Sequence, residues 1–200
     1  MIRAVIFDLG NVLVPFDTRR GYEALAAVNG LPPEEVKRRI AATGLVPPFE
    51  RGEVSPEEFV RRLSAALHLE VSYERFCELW SSIFLPETLV PESLVEGLKR
   101  RSRLLVLSNT NAIHFAMIQQ RYPILRHFDD HVLSYEMGYL KPAPEIYRAA
   151  IARAGCAPEE IFFTDDLEAN VEAARREGID AVRFESAEQL KRELERRGLA

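Results

Sequence analysis

Five short runs of strand-forming residues constrain this chain more than any other feature. They are Ala4–Phe7, Leu104–Leu107, His131–Ser134, Ile161–Thr164 and Ala181–Phe184. From the second run onward, spans of helical periodicity separate them: 111–120, 144–153, 167–177 and, after the last run, 187–197. Strand and helix in alternation predict a parallel sheet with helices on both faces. In such a sheet the loops at the carboxyl ends of the strands converge on one crevice. Three of the runs hand over to polar residues there: Asp8, Ser108 with Asn109, and Asp165 with Asp166.

The gap between the first two runs is long and reads as helix. Asp17 is a plausible N-cap for 18–28, and Pro33 with two following acids opens 33–42. Ser55-Pro56-Glu57-Glu58 is a capping box for a helix through Leu67. Ser72 caps a further helix with Phe76, Leu79, Trp80 and Ile83 at helical spacing. Prolines 86 and 91 punctuate the return, and the helix 91–101 already belongs to the sheet. The expected organisation is an α/β core, residues 1–15 and 88–200, interrupted by a helical insert, residues 16–87. A chain of 200 residues suits one such unit.

Composition narrows the function classes. Net charge is -5 with both signs interspersed, which leaves no basic footprint for nucleic acid. No apolar run approaches membrane-spanning length, and no leader pattern precedes the strand beginning at Ile2. Cys77 and Cys156 are far apart and lack metal-ligand spacing, as expected of free thiols in a reducing cytoplasm. The expectation is a cytoplasmic protein acting on a small molecule.

The residues at the strand ends suggest the chemistry. A carboxylate at a buried strand tip, Asp8, followed by the loop Leu9-Gly10-Asn11-Val12-Leu13, is a place to hold a phosphate or make an acyl-phosphate; it could also be a turn aspartate. Asp165 and Asp166 read either as a helix cap and its solvated neighbour or as ligands of a hard cation. Two adjacent carboxylates at a buried strand end are costly without one. Ser108 and the Asn109 N–H stand where a helix begins, suited to capping, to phosphoryl oxygens, or to both. Lys141, one of few lysines in an arginine-rich chain, lies in Gly138-Tyr139-Leu140-Lys141-Pro142.

Taken in order, the segments around Asp8, Ser108, Lys141 and Asp165-Asp166 resemble the four motifs of the haloacid dehalogenase (HAD) superfamily, mostly phosphatases with an aspartate nucleophile and Mg²⁺. The resemblance implies a Rossmann-like core whose insert is an α-helical C1 cap. It implies that Asp8 attacks phosphorus, that Ser108 and Asn109 bind phosphoryl oxygens, and that Lys141 pairs with the phosphate and Asp8. Mg²⁺ would be held by Asp8, the Gly10 carbonyl and Asp166 with Asp165 beside it, and Asn170 would bond a metal water or its ligands. Ala143, where the family usually has aspartate, is a minor departure.

Gly10 is the departure that matters. Most HAD phosphatases carry there a second aspartate, the general acid and base, a role typically worth about 10²–10⁴-fold. Asp8-Leu9-Gly10-Asn11-Val12, Phe49-Glu50-Arg51-Gly52-Glu53-Val54-Ser55, and Ser108-Asn109-Thr110-Asn111 with His114 look like a bacterial subgroup that includes an α-D-glucose-1-phosphate phosphatase. More distantly, they look like the phosphatase domain of soluble epoxide hydrolases. Asp17 and His114 are the candidate substitutes for proton transfer; capping and packing are their plainer roles. The implied function is a Mg²⁺-dependent phosphatase of a small phosphorylated metabolite, such as a hexose 1-phosphate, through an aspartyl-phosphate on Asp8. The alternatives are a metal-independent 2-haloacid dehalogenase and a weakly catalytic phosphate-binding protein.

Overall fold

A computed structural model describes residues 1–199. Five strands, β1 (Ala4–Phe7), β2 (Arg103–Ser108), β3 (Asp130–Leu133), β4 (Ile161–Asp165) and β5 (Asp180–Arg183), form one sheet in the order β3-β2-β1-β4-β5. Every pairing is parallel. The chain first builds outward from β1 through β2 to β3, then returns to the other side of β1 for β4 and β5. The carboxyl ends of β1 and β4 therefore flank the point where strand order reverses, the usual place for a ligand in an open parallel sheet.

The sheet is covered on both faces, which is why its strands read as continuous apolar runs rather than alternating ones. Val5, Phe7, Leu104, Val106 and Phe162 face one layer, and Ala4, Ile6, Leu105, Leu107 and Phe163 face the other. The first layer is filled by Val95 and Leu98 of α6 (Glu92–Lys99), Phe115 and Ile118 of α7 (Ala112–Arg121), and Leu190 and Leu194 of α11 (Ala187–Arg196). The second is filled from α9 (Pro144–Ala154) and α10 (Glu168–Arg176), with α8 (Ser134–Met137) a single turn after β3.

Between β1 and α6 lie five helices: α1 (Thr18–Asn29), α2 (Pro33–Thr43), α3 (Val46–Glu50), α4 (Pro56–Leu67) and α5 (Tyr73–Trp80). Their ends follow the sequence signals. Asp17, Ser55 and Ser72 accept the N–H bonds expected of N-caps, and Gly30 and Gly44 close α1 and α2 in left-handed conformation. These helices bury their own cluster, including Leu25, Phe49, Phe59, Leu63, Phe76 and Trp80, to which α7 contributes Ile113. The helix expectations match within a residue or two, and β3 and β5 each begin one residue early. α3, with prolines at its first turn, and the single turn α8 are the additions.

Candidate active site

Asp8 is the first residue past β1, and its N–H donates to the Thr164 carbonyl at 2.9 Å. The following loop folds back on itself: the Val14 N–H donates to Leu9 O and the Asn11 N–H to Val14 O. This requires a left-handed residue at Asn11 (φ 55°), which asparagine tolerates better than most. The Asn11 side chain accepts from the Phe16 N–H at 3.3 Å.

Lys141 is buried among the strand ends. Its Nζ donates to Asp165 Oδ2 at 2.6 Å and Leu107 O at 3.0 Å, and lies 2.8 Å from Asp8 Oδ1. Asn109 clamps the lysine backbone from both sides: its Nδ2 donates to Lys141 O at 2.9 Å, and Lys141 N–H donates to Asn109 Oδ1 at 2.7 Å. Asp165 is fully buried and further accepts from Asn170 Nδ2 and the Leu167 N–H. Sequence reasoning found Asn109 for its backbone. The bracing role of its amide has no local signal, since its partner is 32 residues away.

The electrostatics follow from burial. Burial pushes the Asp8 carboxyl up to about 7, with Lys141 pulling it down and Asp165 pushing it further up. Asp166, half-buried, is raised by burial and then by Asp165. Burial works against the Lys141 cation, but the charges of Asp8 and Asp165 outweigh it and raise its pKa. One lysine does not balance three carboxylates, and each uncompensated buried charge costs several kcal/mol. Asp8, Asp165 and Asp166 each offer an oxygen within 4.8 Å of the others. This all-oxygen, electronegative set fits a hard divalent cation such as Mg²⁺. Both Asp165 oxygens already accept hydrogen bonds, so Asp8 and Asp166 carry the open donor positions.

Beside this cluster lies a cavity of about 200 Å³ between the strand ends and the inserted helices. Gly10, Ser108 and Asn109 line its core side, and Phe16, Glu50 and Trp80 line its other side. A Cβ on Gly10 would lie 2.7 Å from Cε1 of the Phe16 ring, so that ring fills the space a side chain at position 10 would need.

The two candidate substitutes for proton transfer are placed differently. Asp17 caps α1, and Arg19 grips its carboxylate, with Nη2–Oδ2 at 2.7 Å. Hydrogen bonds from Arg19 hold it below the usual carboxylate range. It is not on the cavity wall, although its neighbours Phe16 and Thr18 are. His114 is on the wall, buried, stacked on Trp80 and edge-on to Phe84. Its Nδ1 lies 3.1 Å from Asn111 Nδ2 and its Nε2 lies 3.2 Å from the Trp80 carbonyl. Burial pushes its pKa down to about 4, so it is neutral, with Nδ1 accepting and Nε2–H donating. Glu50 was quoted above within its motif and given no role, yet it is the one carboxyl group lining the cavity among the described residues. Burial alone raises its pKa.

Comparison with known proteins identifies the family. A family model described as haloacid dehalogenase-like hydrolase matches residues 2–178. The chain is 26% identical to a D-ribitol-5-phosphate phosphatase of Bacteroides thetaiotaomicron, over 97% of each chain. It is also 26% identical to a phosphorylated carbohydrates phosphatase of Thermotoga maritima, over 90% of this chain and 84% of the relative. Among solved structures, a HAD family enzyme from Bacteroides thetaiotaomicron in complex with magnesium and inorganic phosphate superposes with a TM-score of 0.82. That pair is 28% identical over 93% of this chain and 96% of the other.

Proposed function

The chain belongs to the haloacid dehalogenase-like hydrolases, and from that premise we propose that it is a Mg²⁺-dependent phosphatase of phosphorylated carbohydrates working through an aspartyl-phosphate on Asp8. The observation that carries the reading is the Asp8–Lys141–Asp165 constellation at the switch point of the sheet, with Asp166 beside it.

Each residue has a derivable task. One carboxylate oxygen of Asp8 attacks phosphorus, and the bond from phosphorus to the carbohydrate oxygen breaks with its electron pair on that oxygen. Lys141 Nζ, bonded to Asp165 and beside Asp8, fixes the carboxylate and offsets charge on the transferring group. Ser108 and the Asn109 N–H hold phosphoryl oxygens at the head of the loop into α7. Asp8, Asp166 and the Gly10 carbonyl would hold Mg²⁺, which would supply charge neutralisation for the carboxylate and the phosphate dianion. Water then hydrolyses the acyl-phosphate and regenerates Asp8. A metal-independent 2-haloacid dehalogenase is disfavoured, because without a cation three carboxylates around one lysine repel a carboxylate substrate.

The test is phosphate release from a panel of sugar and polyol phosphates, with Mg²⁺ and with EDTA. EDTA is expected to abolish release. Asp8→Asn, which removes the nucleophile at nearly constant volume, is expected to lower turnover beyond detection while keeping the thermal transition. Near-normal release by that variant removes the covalent step.

A further inference from the structure

We propose that Glu50, carried by the inserted helices, is the general acid that protonates the leaving oxygen; this rests on the phosphatase reading above. The need arises at Gly10. An alkoxide is a poor leaving group, and a positioned proton donor is typically worth about 10²–10⁴-fold. Position 10 cannot supply one, because the Phe16 ring occupies that space. The ring is pinned in turn by an edge contact to Phe84, centroids 6.1 Å apart, and by a backbone bridge between the same two residues.

The cavity wall offers few alternatives. Its ionisable side chains are Tyr22, Glu50 and His114. His114 donates its one ring proton to the Trp80 carbonyl and accepts from Asn111 at the other nitrogen. A phenol is by nature a far weaker acid than a carboxyl group. Glu50 is unencumbered: its neighbour Arg51 is bound to Glu53, and burial is the sole influence on its titration, favouring the protonated form.

Glu50 is also held in place. Phe49 stacks on Phe59 at 4.0 Å inside the insert. Two residues beyond Glu50, Gly52 takes a left-handed conformation (φ 71°), and a Cβ there would lie 2.0 Å from the Tyr135 carbonyl oxygen. Only glycine permits that approach, and it seats the Glu50 turn on α8 of the core. The backbone on either side of Glu50 is thus anchored, to the insert at Phe49 and to α8 at Gly52, which holds the residue at the cavity wall as positioned proton transfer requires.

The step balances as follows. One carboxylate oxygen of Asp8 forms a bond to phosphorus as the phosphorus–oxygen bond to the carbohydrate breaks. The Glu50 carboxyl proton passes to the departing oxygen, releasing a neutral alcohol and leaving Glu50 as carboxylate. In the second step water attacks phosphorus, Asp8 departs as carboxylate, and the water proton returns to Glu50.

The test compares phenyl phosphate with p-nitrophenyl phosphate as substrates of the Mg²⁺-loaded wild type, Glu50→Gln and Glu50→Ala. Nitrophenolate leaves without a proton, whereas phenolate benefits from one. In both variants the ratio of kcat/KM for phenyl over p-nitrophenyl phosphate is expected to fall by about 10²-fold. Because the ratio is taken within one preparation, it does not depend on the fraction folded. An unchanged ratio overturns the proposal; neither ester carries sugar hydroxyls, so a recognition role leaves the ratio fixed. If the wild type cleaves neither these esters nor any carbohydrate phosphate, the phosphatase reading falls and Glu50 with it.

Discussion

Lys141 shows how a buried charge sets the character of its neighbours. It is the cation holding Asp8 and Asp165 together, with two carboxylates, a carbonyl and a clamp from Asn109 around it. Lys141→Met leaves those carboxylates buried and unpaired. We expect a loss of about 3–5 kcal/mol in urea unfolding without Mg²⁺, partly recovered on adding Mg²⁺. Gly10 is constrained in the opposite way, by space. Introducing the aspartate that the family usually carries, Gly10→Asp, forces the Phe16 ring aside and is expected to cost about 1–3 kcal/mol. Trimming the ring in the double variant Gly10→Asp/Phe16→Ala should remove most of that added cost. A double-mutant cycle in urea measures the coupling, and additive losses would mean that Phe16 does not guard this position.

Helix α7 joins the two parts of the molecule. Phe115 and Ile118 pack on the sheet, Ile113 packs into the cluster of the insert, and His114 bonds the carbonyl of Trp80 at the end of α5. Burial holds His114 well below its ordinary value, at about 4. The unfolded chain binds that proton more readily, so the His114 contribution to stability rises with pH between about 4 and 6.5, opposite in sign to that of the raised Asp8 carboxyl. The contribution is fully present above about 6.5, lost as pH falls through about 4, and on the order of 3 kcal/mol. His114→Gln should remove this rising component, leaving stability to increase less, or fall more, with pH in this window than in the wild type. A pH dependence equal to that of the wild type would mean that His114 takes up no proton on unfolding in this window.

At the scale of the whole molecule, the insert from about residue 16 to residue 87 is expected to move as a lid. Two connecting segments, near 11–16 and 86–91, tie it covalently to the sheet, and few residues suffice for a hinge. Opening must separate Gly52 from Tyr135 and break the His114–Trp80 bond. Hydrogen exchange with Mg²⁺ and trifluoroberyllate should therefore show protection at both connectors and around 49–53; identical exchange with and without the analogue would mean a fixed cap. The sequence by itself determined the parallel sheet and the clustering of Asp8, Ser108 and Asp165, because apolar strands buried on both faces read as unbroken runs and their carboxyl ends share one edge. It also gave the helix starts, since Asp17, Ser55 and Ser72 cap through bonds within a few residues. Only the tertiary structure decided which groups face the cavity. Asp17 is turned to Arg19, His114 is spent on Trp80, and Glu50 enters from a five-residue helix begun by two prolines. Local pattern fixes hydrogen bonding along a segment and the face it buries; what that face meets is settled by packing between segments far apart in the chain. A lone glutamate in a proline-rich turn carries no mark of the Phe49–Phe59 stack and the Tyr135 carbonyl that hold its turn in place.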